Sequence, residues 1–374
     1  MKRIGPRNTI HFLVIAGAIG LAACASNPGG TTKPASRQPS NAPRLVKYGR
    51  LQVLDGRLCG DDGKPVQLRG MSTAGLQWYA EAVNAPAFAT LAEDWKADVV
   101  RLTLYVGERG YATFPEIKRH VERGIELAVA QGLYVIVNWV VHIPGNPNDP
   151  IYAGAQAFFD DISRKYGKHP NLLYEIMSEP NGDLDWAKDI KPYAEKTVAT
   201  IRTNDPKGII LIGSGTWSQD VDIAAADPLV GHNLAYAFHF YAGTHGEPLR
   251  LKVRKAIERG VAVFASEWGT SDYTGNGGPY LRESEVWLDF LDHHGISWVN
   301  WGISDKSESS AAIKSLLQVM QEGNTAVAKR ESLLVPETIG PEGFPIWAPE
   351  ELTPSGNFVR ARLRAQAEAE GPRR

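Results

Sequence analysis

The chain is poor in cysteine, with two in 374 residues, Cys24 and Cys59. Downstream of Cys24 only Cys59 remains, so no intrachain disulfide can hold the folded part together. No charge sign dominates: 40 basic and 42 acidic residues leave a net charge of −2. No basic run is interleaved with aromatics either, which argues against nucleic acid as a partner. No H-x-H or H-x-x-x-H pair marks a metal site, and nothing in the sequence requires a cofactor. No Gly-rich phosphate loop follows the first predicted strand. Long hydrophobic runs are also scarce. The one extended apolar stretch, F-L-V-I-A-G-A-I-G-L-A-A (12–23), is too short to span a bilayer comfortably.

That stretch follows Lys2, Arg3 and Arg7 and reads as a targeting segment, set apart from the fold. It ends in L-A-A-C (21–24), which resembles a bacterial lipobox. The resemblance implies a signal peptide over 1–23, lipidation of Cys24 and anchoring to a bacterial membrane, with an ordinary signal peptide as the alternative. Residues 24–44 are rich in Pro, Ser and Gly and read as a flexible tether. The domain expected to follow runs over 45–365, and a tail over 366–374 reads as disordered. With 43% hydrophobic residues, the chain can bury a large core.

From about residue 50, short β-branched runs alternate with amphipathic stretches. Strands are predicted over 66–70, 98–105, 133–139, 172–178, 208–213, 234–241, 261–268 and 296–302. Several are continuous apolar runs, the mark of strands covered on both faces. Helical spacing recurs over 117–132, stopping at Gly132, and over 157–167 and 283–295. Eight strand–helix units in roughly 250 residues predict a TIM (β/α)8 barrel, with a doubly wound open sheet as the weaker alternative.

A TIM barrel keeps its chemistry at the C-terminal ends of its strands. Trp139, Glu179, His239, Tyr241, Glu267 and Trp301 all fall there. Glutamates rarely end buried strands unpaired. Glu179 and Glu267 end the fourth and seventh strands and so can face each other across the mouth, as glycoside hydrolysis requires. Metal binding is the competing use of converging acids and histidines. Glu175 shares strand parity with Glu179 and reads as a buried, partnered structural group. Ten tryptophans and thirteen tyrosines suit a sugar-stacking surface or plain core filling.

Several blocks between about Leu45 and Leu363 carry a family resemblance. They include V-Q-L-R-G-M-S-T-A-G-L-Q-W-Y (66–79), Y-V-I-V-N-W-V-V-H-I-P-G (134–145) and H-F-Y-A-G-T-H-G (239–246). V-A-V-F-A-S-E-W-G-T-S (261–271), W-V-N-W-G-I-S-D-K-S-E-S-S-A-A (298–312) and E-L-T-P-S-G-N-F-V-R (351–360) continue the match. The chain resembles glycoside hydrolase family 5, in its bacterial endo-β-1,4-glucanase branch. The resemblance implies a retaining hydrolase acting on a polysaccharide or oligosaccharide as a monomer. Glu179 takes the acid/base position and Glu267 the nucleophile position. Arg101 and Tyr241 would hold Glu267, and His239 would tune Glu179. Trp301 would floor the −1 sugar and Trp139 and Ser178 would also contact the substrate, while Trp78, Tyr105, Lys306 and Glu308 would line outer glycone subsites. Arg101 as a structural arginine, and Trp78 and Tyr105 as rim packing, are the alternatives.

Three positions depart from the family pattern. Ser178-Glu179-Pro180 replaces Asn-Glu-Pro, and Asn138-Trp139-Val140 replaces Asp-Trp-His. Ala74 stands where the family has an outer-subsite histidine. His142 falls outside the core site by the family match. These changes imply a working enzyme with altered −1 recognition, possessing hydrolytic or transglycosylating activity on a β-linked glucan or exopolysaccharide. The alternative is a tethered glycan-binding lipoprotein with weak or no catalysis. A segment near 313–345 has no counterpart in the family pattern; it either overhangs the mouth or decorates the surface.

Overall fold

The computed structural model describes residues 44–323 and 330–370. The proposed signal peptide, Cys24 and nearly all of the tether lie outside them, as do residues 371–374 of the tail. Eight parallel strands close into a barrel: β1 (Arg69–Thr73), β2 (Val99–Tyr105), β3 (Tyr134–Val140), β4 (Leu172–Ser178), β5 (Ile209–Ile212), β6 (Leu234–Tyr241), β7 (Ala262–Gly269) and β8 (Ser297–Ile303). β8 pairs with β1 in parallel, which closes the ring. Around it lie α1 (Ala85–Glu93), α2 (Lys118–Gln131), α3 (Ala155–Tyr166), α4 (Lys191–Asn204), α5 (Val221–Ala226), α6 (Glu247–Glu258), α7 (Leu281–His294) and α8 (Pro354–Glu370). The eight-unit barrel predicted from the spacing is therefore present. α2 stops where expected, with Gly132 in the left-handed region at φ 70°, a conformation that costs glycine little.

Alternation along each strand sorts the interior into layers. At the base, Val99, Tyr134, Ile136, Leu173, Ala235 and Phe264 fill the barrel with apolar side chains. One rung higher, on the same inward face, Arg101, Glu175 and Ser266 form a fully buried polar layer. The intervening residues, such as Leu102, Trp139, Tyr174 and Phe238, turn outward and pack under the helices. The polar layer thus rests on a dry floor that blocks water from below.

The first strand is shifted from its expected place. Val66 and Leu68 join the basal core with Leu51, and the paired residues begin at Arg69. An antiparallel hairpin, Gln52–Leu54 with Arg57–Cys59, precedes it. The hairpin is tied to the base where Val53 N donates to Asn233 Oδ1 at 2.9 Å.

One further expectation changes. The tail is helical rather than disordered up to Glu370, because α8 is clamped by charge. Arg360 grips Asp94 through two hydrogen bonds of 2.6 and 2.7 Å, and Arg364 reaches the same carboxylate at 2.7 Å. Glu370 accepts from Lys47 at 2.6 Å and also pairs with Arg69. The segment near 313–345 stood open between the mouth and the surface; its part from Leu334 to Pro345 lies against α1, where Asn84 donates to the Leu334 carbonyl at 3.1 Å and Thr90 to that of Pro345 at 2.7 Å. Just beyond it, Trp347 is fully buried with its ring 5.9 Å from that of Trp95. Truncating this anchor, Trp347→Ala, is expected to cost about 3–5 kcal/mol, read as a lower urea midpoint; a loss below about 1 kcal/mol would show that the strap is dispensable.

Candidate active site

The barrel mouth opens into a cleft of about 1190 Å³ lined by Glu179, His239, Tyr241 and Glu267 among others. Its floor is built on Arg101. This side chain is fully buried and shares its charge between two carboxylates. Nε donates to Glu175 at 2.6 Å and Nη1 to Glu267 at 2.8 Å. Glu175 is equally buried and also accepts from Ser266 at 2.6 Å. Burial alone would raise its pKa, but Arg101 and His239 outweigh burial and hold it at about 2.

Glu267 is gripped on its other oxygen. The Tyr241 hydroxyl donates to Oε1 at 2.8 Å. Burial first, and then the charge of Glu267, push the Tyr241 pKa well above the usual tyrosine range, so it remains a donor. Two donors on one carboxylate hold it oriented.

His239 links Glu179 to the polar layer. Its Nδ1 lies 3.0 Å from Glu179 Oε1, and its Nε2 lies 3.0 Å from Ser266 Oγ. Burial works against the imidazolium, but Glu267, Glu175 and Glu179 together raise its pKa to about 9. For Glu179, burial would raise the pKa, yet the His239 hydrogen bond and charge bring it below the usual value. The pair therefore shares one proton, resting mainly on the imidazole. Glu179 itself sits at φ 65°, a left-handed backbone that costs a non-glycine residue roughly 1–2 kcal/mol and gathers at functional sites.

One ligand atom each from Glu179, His239 and Glu267 lies within 4.8 Å of the other two. That spacing would suit a metal ion, but the donor set is already committed. Glu267 takes a guanidinium and a phenol, and both His239 nitrogens have partners.

Of the expected sugar-binding residues, Trp78, Tyr105, Trp301, Lys306 and Glu308 line the cleft. The Trp78 and Tyr105 rings stand 5.2 Å apart, and Lys306 pairs with Glu308 at 2.5 Å. Trp139 does not line it. Alternation turns Asn138 inward and Trp139 outward, where it is fully buried against Tyr111, Phe158 and Phe159. Ser178 is also withdrawn, 1% exposed and accepting from Asn138 Nδ2 at 3.0 Å. His142, placed outside the core site by the family match, does line the cleft, 3.2 Å from Glu108. Trp217 and Tyr273 were not singled out from sequence. Trp217 reaches the cleft from a loop in which residues 216–218 are all left-handed, at φ 53°, 53° and 59°. A tryptophan just past the end of a barrel strand is the signal that points to it.

A closed (β/α)8 barrel with two glutamates facing each other across its mouth defines a protein of the glycoside hydrolase class. The chain belongs to glycosyl hydrolase family 5: the cellulase model of that family matches residues 59–307. It is 42% identical over 332 residues to endoglucanase N of Pectobacterium atrosepticum, covering 88% of this chain and 69% of that one. An endoglucanase of Clostridium saccharobutylicum is 47% identical over 268 residues, covering 71% of this chain; the chain spans only 60% of that relative's length. Among solved structures, a thermostable, halotolerant family 5 cellulase from an Icelandic hot spring isolate superposes with a TM-score of 0.77 at 40% identity, over 85% of this chain and 96% of that one. The catalytic domain of a Thermobifida fusca endoglucanase in complex with cellotetraose gives 0.74 at 35% identity, over 85% and 98%.

The raised pKa of His239 has a consequence for stability. A free imidazole loses its proton near pH 6.5, whereas the folded protein holds this one to about pH 9. The stabilisation is therefore complete below pH 6.5 and fades as pH rises toward 9. Between those values, the wild-type urea midpoint is expected to fall more steeply than that of His239→Asn. Parallel slopes would mean that His239 is neutral in the folded protein.

Proposed function

We propose that the protein is a retaining, endo-acting glycoside hydrolase of β-linked glucan or bacterial exopolysaccharide. The observation that carries this is the separation of Glu179 and Glu267. Oxygens within 4.8 Å fit the roughly 5–5.5 Å carboxyl spacing of retaining enzymes, whereas inverting ones need about 6.5–9.5 Å to admit a water.

In this reading the Glu267 carboxylate, held by Arg101 and oriented by Tyr241, attacks the anomeric carbon. Glu179 delivers to the leaving oxygen the proton it shares with His239. Esterification removes the Glu267 charge and with it one of the groups keeping His239 protonated. Glu179 then takes a proton from water or from an acceptor sugar, and the glycosyl ester is released by hydrolysis or transglycosylation. Trp301, Trp78 and Tyr105 offer apolar faces for sugar rings, and Lys306 and Glu308 offer polar contacts at the rim.

The −1 pocket is proposed to accept a sugar that is bulkier or less polar around C2 and C3 than plain glucose. Supporting this, the short Ser178 spends its hydroxyl on Asn138. We also propose export and anchoring through Cys24. The described chain begins beside Gly132 at the end of α2, with Arg44 in an ion pair with Glu93.

The full chain, tested on cellulosic, mixed-linkage, xylan, mannan, chitosan and exopolysaccharide substrates, is expected to release products whose first-formed anomer by NMR keeps the β configuration. Glu267→Gln should abolish release, and Glu179→Gln should lower kcat by roughly 10²–10⁴-fold. Inversion of the anomer, or full activity in Glu267→Gln, would sink the mechanism; binding without cleavage in any variant would point instead to a glycan-binding protein. Separately, Ser178→Asn is expected to raise kcat/KM on plain β-1,4-glucan about tenfold, the worth of one added hydrogen bond of about 1.4 kcal/mol. No gain there would remove Ser178 as a determinant of sugar choice.

A further inference from the structure

A second cavity of about 430 Å³ adjoins the catalytic cleft, and Gln77 and Trp78 belong to the walls of both. Its size falls within the range of ligand pockets, roughly 300–1,000 Å³. Trp78 is 54% exposed, so a chain that stacks on its ring can continue past it into this space.

The chemistry of the second cavity differs from that of the cleft. Arg109, Arg119 and His120 line it, with Glu116 as its one carboxylate. Among the described residues, neither guanidinium forms an ion pair with a carboxylate; Arg119 instead donates to the His120 ring at 3.3 Å. Arginines elsewhere on the surface, such as Arg164, Arg250 and Arg362, do have carboxylate partners. Two guanidinium charges therefore face one carboxylate in a recess walled by Leu76, Trp78 and Phe114.

The backbone is bent to produce this arrangement. Glu108 and Arg109 are both left-handed, at φ 53° and 60°, a conformation non-glycine residues adopt only where their surroundings impose it. The result separates two neighbours of opposite charge. Glu108 meets His142 on the cleft side at 3.2 Å, while Arg109 lines the second cavity. The Gln77 side chain in the shared wall adds an unspent polar group. Both its amide atoms are shielded from solvent and lack a partner in the protein, which is costly.

We propose that the second cavity is a cationic extension of the substrate cleft that holds a carboxylate carried by the polysaccharide, as on a uronic acid or an acid-bearing substituent. Arg109 and Arg119 bind the carboxylate, guanidinium being suited to bidentate contact with it. The favoured substrate is then an acidic polysaccharide rather than a neutral glucan. This rests on the cleft being a glycan site.

Calorimetry on the full chain carrying Glu267→Gln tests the proposal without turnover. The probes are cellohexaose and a carboxymethylated cello-oligosaccharide of the same length, each at low and high salt. The carboxymethylated probe is expected to bind about 10-fold more tightly at low salt, with the advantage shrinking as salt screens it. Adding Arg109→Gln and Arg119→Gln should bring the affinity ratio close to one. Equal affinities in the parent protein, or an advantage that survives both arginine substitutions, would overturn the proposal while leaving the glycan site intact. Failure to bind either probe would overturn the glycan-site reading and this proposal with it.

Discussion

The Arg101 guanidinium, buried and shared between Glu175 and Glu267, is the interaction on which the rest of the site depends. A charge so far from water is tolerable only when paired, and here the pairing orders both partners. Glu175 faces the interior and has no evident chemical task beyond compensation; it also accepts from Ser266, which in turn meets His239. Glu267 faces the cleft and is held in place at its edge by Arg101 and Tyr241. One cation thus fixes the ground on which the nucleophile, the histidine and the acid/base carboxylate all stand.

The charge of the whole cluster suits the proposed chemistry. Arg101 and protonated His239 face Glu175, Glu179 and Glu267, an arrangement one negative charge in excess. A glycosidic transition state develops positive charge on the sugar ring, and fixed charges in a water-poor site stabilise it strongly because they need no reorganisation. The apolar base of the barrel contributes by keeping water from entering below. Support also comes from outside the ring. The α8 helix is pinned through Asp94 and Glu370, and the strap ending at Trp347 packs along α1.

Much of this was legible in the chain. Continuous apolar runs separated by amphipathic stretches gave the barrel, because strands covered on both faces cannot alternate polar and apolar residues freely. Glu179 and Glu267 stood out as unpaired acids ending such strands. The errors have physical causes as well. Trp139 reads as a substrate-binding residue because it ends a strand, but alternation with the inward Asn138 turns it into the helix layer. A register shift between Asn138 and Val140 against β4 accompanies the burial of Ser178 against Asn138. The tail reads as polar and unstructured, yet its charges find partners on α1 and near the start of β1.

By itself the sequence determined the periodicity of each element, the choice of residues at each strand end and membership in a family. These are local properties, set by backbone geometry and by which side chains tolerate burial. Only the tertiary structure decided which groups meet. Arg101 and Glu267 are 166 positions apart, and His239 and Glu179 are 60 apart. Their contacts exist because the ring of strands closes and brings its inward faces to the same height. The parting of Glu108 from Arg109 is more local: both left-handed residues sit in a turn that Gly110 N closes onto the Gly107 carbonyl.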